Sequence, residues 1–126
     1  MNNRKIDPNL PIQHIQGKWL VTETPDLDDD YLELTQDPHV VLKTRKSHND
    51  ISGDYAFGAQ TGVIDGQLEM LSDGGIRLIF SFEGNDELDM VHGYGEATLV
   101  DEGTLKGYMR YHLGDTYRFV WKRVRK

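Results

Sequence analysis

From Gly17 onward, apolar residues recur at every second position, in runs separated by breaks rich in glycine and aspartate. A period of two is the repeat of a strand with one buried face. KWLVTET (18–24) sets Trp19, Val21 and Glu23 against Lys18, Leu20 and Thr22, and the β-branched HVVLKTR (39–45) follows Pro38. DISGDYAFG (50–58) places Ile51, Gly53, Tyr55 and Phe57 on one side. TGVIDGQLEML (61–71) is less regular, and its Gly62 and Gly66 predict a bulge or barrel corner. GIRLIFSFE (75–83) aligns Ile76, Leu78, Phe80 and Phe82. VHGYGEATLV (91–100), TLKGYMRYH (104–112) and TYRFVWKRV (116–124) bring the expected strands to eight.

The breaks are short. SDGG (72–75), DEG (101–103) and LGD (113–115) are hairpin signals, so consecutive strands are expected to pair antiparallel. One segment departs from the period. PDLDDDYLEL (25–34) carries Leu27, Tyr31 and Leu34 at spacings of four and three, with acids leading. That pattern predicts a short helical segment crossing between the first two strands as a lid, with an irregular acidic loop as the alternative. Pro8 and Pro11 mark residues 1–16 as a loosely ordered leader, with Ile12 and Ile15 placed to plug something. The expectation is therefore all-β: one antiparallel up-and-down β-barrel of about eight strands over residues 17–126, closed because closure leaves no exposed edge. A barrel of that size is either filled by side chains or holds one small ligand.

Composition narrows the function classes. A chain of 126 residues suits one domain and buries about two-thirds of its unfolded surface. The absence of cysteine excludes a disulfide framework, a thiolate nucleophile and cysteine-bound zinc, and fits a reducing cytoplasm. The N-terminus has no apolar run of signal-peptide length, and no stretch approaches about 18 apolar residues, so no membrane partner is expected. A net charge of −7, from 21 acids against 14 bases, disfavours nucleic acid. The basic end WKRVRK reads as the solvated face of a last strand and a tail, and self-association into a homo-oligomer stays open.

Candidate chemistry concentrates in FEGNDELDMVHGYG (82–95), where Glu83, Asp86, Glu87 and Asp89 precede His92. One reading is a solvated turn made by Gly84 and Asn85, with Asp86 and Asp89 capping backbone N–H groups. A second is hard-oxygen ligation of calcium or magnesium, but the spacing is not that of the twelve-residue calcium loop, and no metal is assigned. A third is acid/base catalysis by Glu83, Asp86 or Glu87, with His112 and Asp115 facing the same barrel end as an oriented pair. No serine or cysteine nucleophile motif accompanies them. A histidine before a Leu-Gly-Asp turn also serves to fix its hairpin. His14, His39 and His48 lie in the leader or near turns, with no two on one face. Tyr55, Phe57, Phe80, Phe82, Met109 and Tyr111 either line a ligand cavity or fill a dry core. GYGEA (93–97) lies inside a strand and reads as a barrel bend rather than a phosphate loop.

Gly17-Lys18-Trp19 at the start of the first strand, with Arg118 and Arg123 on the last, resembles the G-x-W signature of the calycins (lipocalins, fatty-acid-binding proteins and avidins). The resemblance implies a tryptophan at the closed end with a basic side chain packed across it, giving Trp19, Arg118 and Arg123 structural roles. Most of residues 17–123 also resembles a family of small uncharacterised bacterial proteins. The shared motifs are Gly17–Trp19, Asp28–Tyr31, Tyr55-Ala56-Phe57-Gly58, Phe80–Asp89 with Gly93 and Gly95, and His112-Leu113-Gly114-Asp115. Tyr55 stands where that family carries phenylalanine, which adds a hydroxyl at an expected core position. The family has no assigned activity, so this resemblance implies fold without chemistry. Three functions follow as expectations: a small-molecule binding module entered past residues 25–34, an enzyme using the acidic loop with His112 and Asp115, or a filled interaction barrel. Cofactor and ligand identity are undetermined.

Overall fold

A computed structural model describes residues 15–124 apart from 33, 36 and 45–49. Eight strands close a barrel in sequence order, each antiparallel to its neighbours, with β8 returning to β1. They are β1 (Gly17–Glu23), β2 (His39–Thr44), β3 (Asp50–Phe57), β4 (Gln60–Met70), β5 (Ile76–Asp86), β6 (Asp89–Asp101), β7 (Thr104–Tyr111) and β8 (Thr116–Arg123). A four-residue helix, α1 (Asp29–Leu32), lies between β1 and β2. The all-β, up-and-down barrel expected from the period-two pattern is therefore the fold, and the architecture is consistent with a calycin-like barrel. Among the described residues no helix is long and apolar enough to cross a membrane.

The glycines of β4 do not make the bulge expected of them. β4 stays in unbroken register with β3 and β5 through Gly62 and Gly66. Register shifts fall instead at Val21/Glu23 between β1 and β8, and at Leu99/Asp101 between β6 and β7. The inward parity explains the glycines. Residues 60, 62, 64, 66 and 68 face the lumen, and a Cβ on Gly62 would lie 2.6 Å from the Tyr55 hydroxyl. Gly62 makes room for an aromatic side chain that reaches across it.

The acidic segment is also corrected. Gly84 and Asn85 do not turn the chain; they sit in the ladder opposite Val91 and Met90, and β5 runs on to Asp86. The turn is Glu87-Leu88, with Asp86 paired to Asp89 and Glu87 at φ 57°. No glycine marks it, so turn chemistry in the sequence points to the wrong residues. The Glu87 N–H donates to the Ala59 carbonyl at 3.1 Å, one step beyond the Gln60–Asp86 pair of the β4–β5 ladder, and this contact helps hold the left-handed backbone.

The lumen is packed with rings. Phe57 meets Tyr55 at a centroid distance of 5.6 Å, Tyr55 meets Phe82 at 6.1 Å, and Phe82 meets Tyr111 at 4.9 Å. A branch runs from Phe82 to Phe80 at 6.4 Å, to Trp121 at 6.1 Å, and on to Phe119 stacked at 4.1 Å. Edge and offset contacts of this kind add about 0.5–1.5 kcal/mol each to the burial itself. The end where β1 begins is plugged by Trp19, whose indole N–H donates to the Ile15 carbonyl at 2.8 Å. Arg123 lies over that indole at 4.6 Å and donates to the Gln16 carbonyl at 2.9 Å. Ile15 is fully buried there, while residues 1–14, Ile12 among them, fall outside the described residues.

The opposite end collects the β3–β4, β5–β6 and β7–β8 turns beneath α1. The helix lasts a single turn, so the expected Leu27, Tyr31, Leu34 stripe does not carry through. Leu27, Tyr31 and Leu32 pack on the core, and Leu34 is exposed.

Candidate functional site

The lidded end holds a polar cluster built from four elements. β4 starts at Gln60, one residue earlier than the sequence pattern suggests, and alternation turns its side chain inward opposite Phe57. The side chain is thus a buried amide, 3% exposed, among rings. An amide in such a place requires partners on both ends. The Tyr111 hydroxyl donates to Gln60 Oε1 at 2.8 Å, and Gln60 Nε2 donates to the Tyr31 oxygen at 3.1 Å. Tyr31 in turn donates to Asp86 Oδ2 at 3.0 Å. A one-way relay of hydrogen bonds therefore runs from the lumen to a carboxylate at the rim, and each bond polarises the next.

Tyr55 stands outside this relay. It is 2% exposed, and its hydroxyl has no hydrogen-bond partner. Its oxygen would stand 2.6 Å from a Cβ on Gly62. Burial pushes the ionisation of Tyr55 and Tyr111 far above the ordinary tyrosine range, so both remain neutral hydroxyls at any working pH. Burial also raises Tyr31; its bond from Gln60 opposes the shift, and Asp86 adds to it.

Above the cluster lies a cleft of about 390 Å³. Its floor is Gln60 and Asp86, and one wall is Tyr31 with Leu27. Asp26 and Asp28 come from the β1–α1 connection, Asp115 from the β7–β8 turn and Tyr117 from the start of β8. Arg118 clamps the connection. Its guanidinium donates to Asp26 Oδ2 at 3.0 Å and to Oδ1 at 2.9 Å, and its backbone N–H adds a third bond at 2.8 Å. Those bonds hold the Asp26 carboxyl down to a pKa of about 2. Thr35 donates to the Gly58 carbonyl, and the Tyr31 ring packs where a Cβ on Gly58 would stand. Gly58 also has φ 58°, so its conformation and its contact both call for glycine.

The residues singled out in the sequence divide between two places. Asp86 and Asp115 border the cleft. Glu83 points outward from β5, opposite His92 on β6. His112 stacks on His92 with ring centroids 4.7 Å apart, and its N–H donates to the His92 carbonyl at 2.8 Å. His112 and Asp115 share no hydrogen bond; Asp115 lies beside the Tyr117 hydroxyl, whose pKa is raised by burial and then by that carboxylate. Glu87 and Asp89 are exposed at the hairpin tip. Phe57, Phe80, Phe82, Met109 and Tyr55 are buried in the ring-packed lumen, and Tyr111 reaches Gln60 at the floor of the cleft. Arg123 covers Trp19, whereas Arg118 acts at the other end of the barrel. His39 bonds the Asp37 carbonyl at 2.7 Å, and His14 and His48 lie outside the described residues. Among the described residues no group of three or more histidine and acidic side chains is arranged to hold a metal ion.

Gln60, Asp26 and Tyr117 escaped the sequence reading. Gln60 had a signal: counting back by twos from Ile64 puts it inward, where a polar residue stands out. Asp26 had none, because its partner Arg118 lies 92 positions away. No family model and no curated protein matches the chain.

Proposed function

We propose that the protein is a small-molecule binding barrel whose site is the cleft under α1 rather than the lumen. The observation that carries this reading is the buried polar cluster of Gln60, Tyr31, Tyr111 and Tyr55 beneath a cleft of about 390 Å³. Ligand sites combine a few convergent polar groups with apolar and aromatic walls, in volumes of about 300–1,000 Å³. A barrel needing only stability gains little from placing an amide and three hydroxyls among its rings. The lid is fastened by polar bonds (Arg118 to Asp26, Tyr31 to Asp86, Thr35 to Gly58) that can exchange with water as a ligand enters. The calycin resemblance points the same way, and the cysteine-free sequence suits a cytoplasmic location.

Native mass spectrometry of protein purified gently from its host, before and after denaturation, tests this. The expected result is a retained small molecule, lost on denaturation and diminished in Gln60→Leu. An apo mass, together with no amide shifts around the cleft in a fragment screen by NMR, would sink the reading.

A further inference from the structure

Large apolar side chains that stay exposed within strands are confined to one wall of the barrel. Among the described residues they are Val63 and Met70 on β4, Ile79 on β5, and Met90, Tyr94 and Val100 on β6, at 41–82% exposure; β1, β2, β3, β7 and β8 carry none. Strand propensity accounts for a valine or isoleucine on any outer face, but not for this confinement to three adjacent strands. The register makes four of them neighbours. Val63 stands opposite Glu83, Tyr94 opposite Ser81 and Met90 opposite Asn85, and Ile79 precedes Ser81 on the same face of β5. Between them lie two grooves of about 380 and 520 Å³ that share Asp65 and Ser81. Gly93 lines the first and Gly66 the second, so the grooves join over small residues into one trough along the outside of β5.

We infer that this trough, separate from the cleft, docks an extended segment of a partner protein in which large apolar side chains alternate with lysine or arginine. An exposed apolar face of this kind marks an interaction surface. The shape selects an extended chain. Val63 and Tyr94 rise from β4 and β6, two strands and therefore about 10 Å apart. An α-helix with its side chains is about 10–12 Å wide and would ride on these knobs, whereas a single extended strand fits between them. The closed barrel offers no strand edge along this wall, so the segment is held by side chains rather than by sheet hydrogen bonds. The charge selects the sign. Asp50, Asp65 and Glu83 line the trough, and no described lysine or arginine does. Arg77 is held by Glu69 and Glu96, and Arg110, opposite Tyr94, donates to Thr116 Oγ1 at 3.2 Å. Cationic side chains on the segment meet the carboxylates of the trough, while a second copy of the same face would set carboxylate against carboxylate.

The test is a set of NMR titrations of the full chain at pH 7 and constant ionic strength. Three capped octapeptides serve as probes: leucine alternating with lysine, leucine alternating with glutamate, and serine alternating with lysine. The leucine–lysine peptide is expected to shift amides at 63–66, 79–83 and 90–94, with a Kd at least about tenfold below that of either control. Ile79→Thr, Tyr94→Thr and Glu83→Gln all lie on the solvent side of the wall, and each should weaken that peptide several-fold. Equal binding of the serine–lysine peptide would overturn the apolar part of the inference, and equal binding of the leucine–glutamate peptide the charge part. Shifts confined to 26–30 and 115 would show attraction to the acids of the lidded end instead, and would overturn the trough as the site. Trough amides that shift on dilution without peptide, together with a dimer in sedimentation velocity, would overturn it in favour of a second copy. No trough shift with any peptide up to about 1 mM would remove the proposal and leave the cleft reading untouched.

Discussion

Two tyrosines, less than one barrel width apart, should respond in opposite directions to the same chemical change. Tyr55→Phe removes a buried hydroxyl that has no partner and leaves the ring contacts to Phe57 and Phe82, at 5.6 and 6.1 Å, in place. An unsatisfied buried polar group costs about 1–3 kcal/mol, so the ligand-free variant should gain about 1–2 kcal/mol. Tyr111→Phe removes the donor to Gln60 Oε1 and leaves that oxygen buried without a partner, so it should lose about 1–2 kcal/mol. For 126 residues unfolding with about 2.1 cal/mol/K per residue, 1 kcal/mol corresponds to about 4 °C in Tm. Tyr55→Phe should therefore melt about 4–8 °C above the parent and Tyr111→Phe about 4–8 °C below it. Urea unfolding of protein refolded from denaturant, which strips any bound molecule, gives the free energies, and scanning calorimetry gives Tm. A loss of more than about 1 kcal/mol in Tyr55→Phe would refute the reasoning, because its hydroxyl would then be satisfied in the free protein. A common sign for both variants would refute it equally.

Two further outcomes follow from the same geometry. Gly62→Ala would put a methyl 2.5 Å from the Glu83 carbonyl and 2.6 Å from the Tyr55 oxygen. It should cost about 1–3 kcal/mol in urea unfolding, and the double variant with Tyr55→Phe should recover little of it, because the ring Cζ at 2.7 Å and the Glu83 carbonyl remain. The Asp26 carboxyl has its pKa lowered from 3.8 to about 2, so the clamp contributes fully above pH 3.8 and is lost as pH falls through 2. Protection from hydrogen exchange at residues 26–32, taken relative to the intrinsic rate at each pH, should fall across that window, and in Arg118→Leu it should already be low at pH 7.

The barrel was legible in the sequence because its cause is local. Ile76, Leu78, Phe80 and Phe82 alternate with exposed residues, and a period of two has only one physical meaning when short turns separate the runs. The positions of those turns were less legible. Gly84 and Asn85 carry turn chemistry, yet they pair within the β5–β6 ladder, and Glu87 turns the chain with a left-handed backbone that its own type does not announce. Tertiary contact overrides propensity there, through the bond from Glu87 to Ala59 on another hairpin.

The site divides along the same line. Sequence alone determined that the acids are many, that cysteine chemistry is absent and that aromatic residues face inward, since each is a count or a parity. It could not separate Asp86 and Asp115 at the cleft from Glu83 and His112 on the outer wall. That separation depends on strand direction and on where each hairpin closes. Nor could it pair Asp26 with Arg118, or leave Tyr55 without a partner while Tyr111 finds Gln60. Hydrogen bonds act over about 3 Å, and only the closed barrel brings side chains from β3, β4, β7 and α1 within that reach.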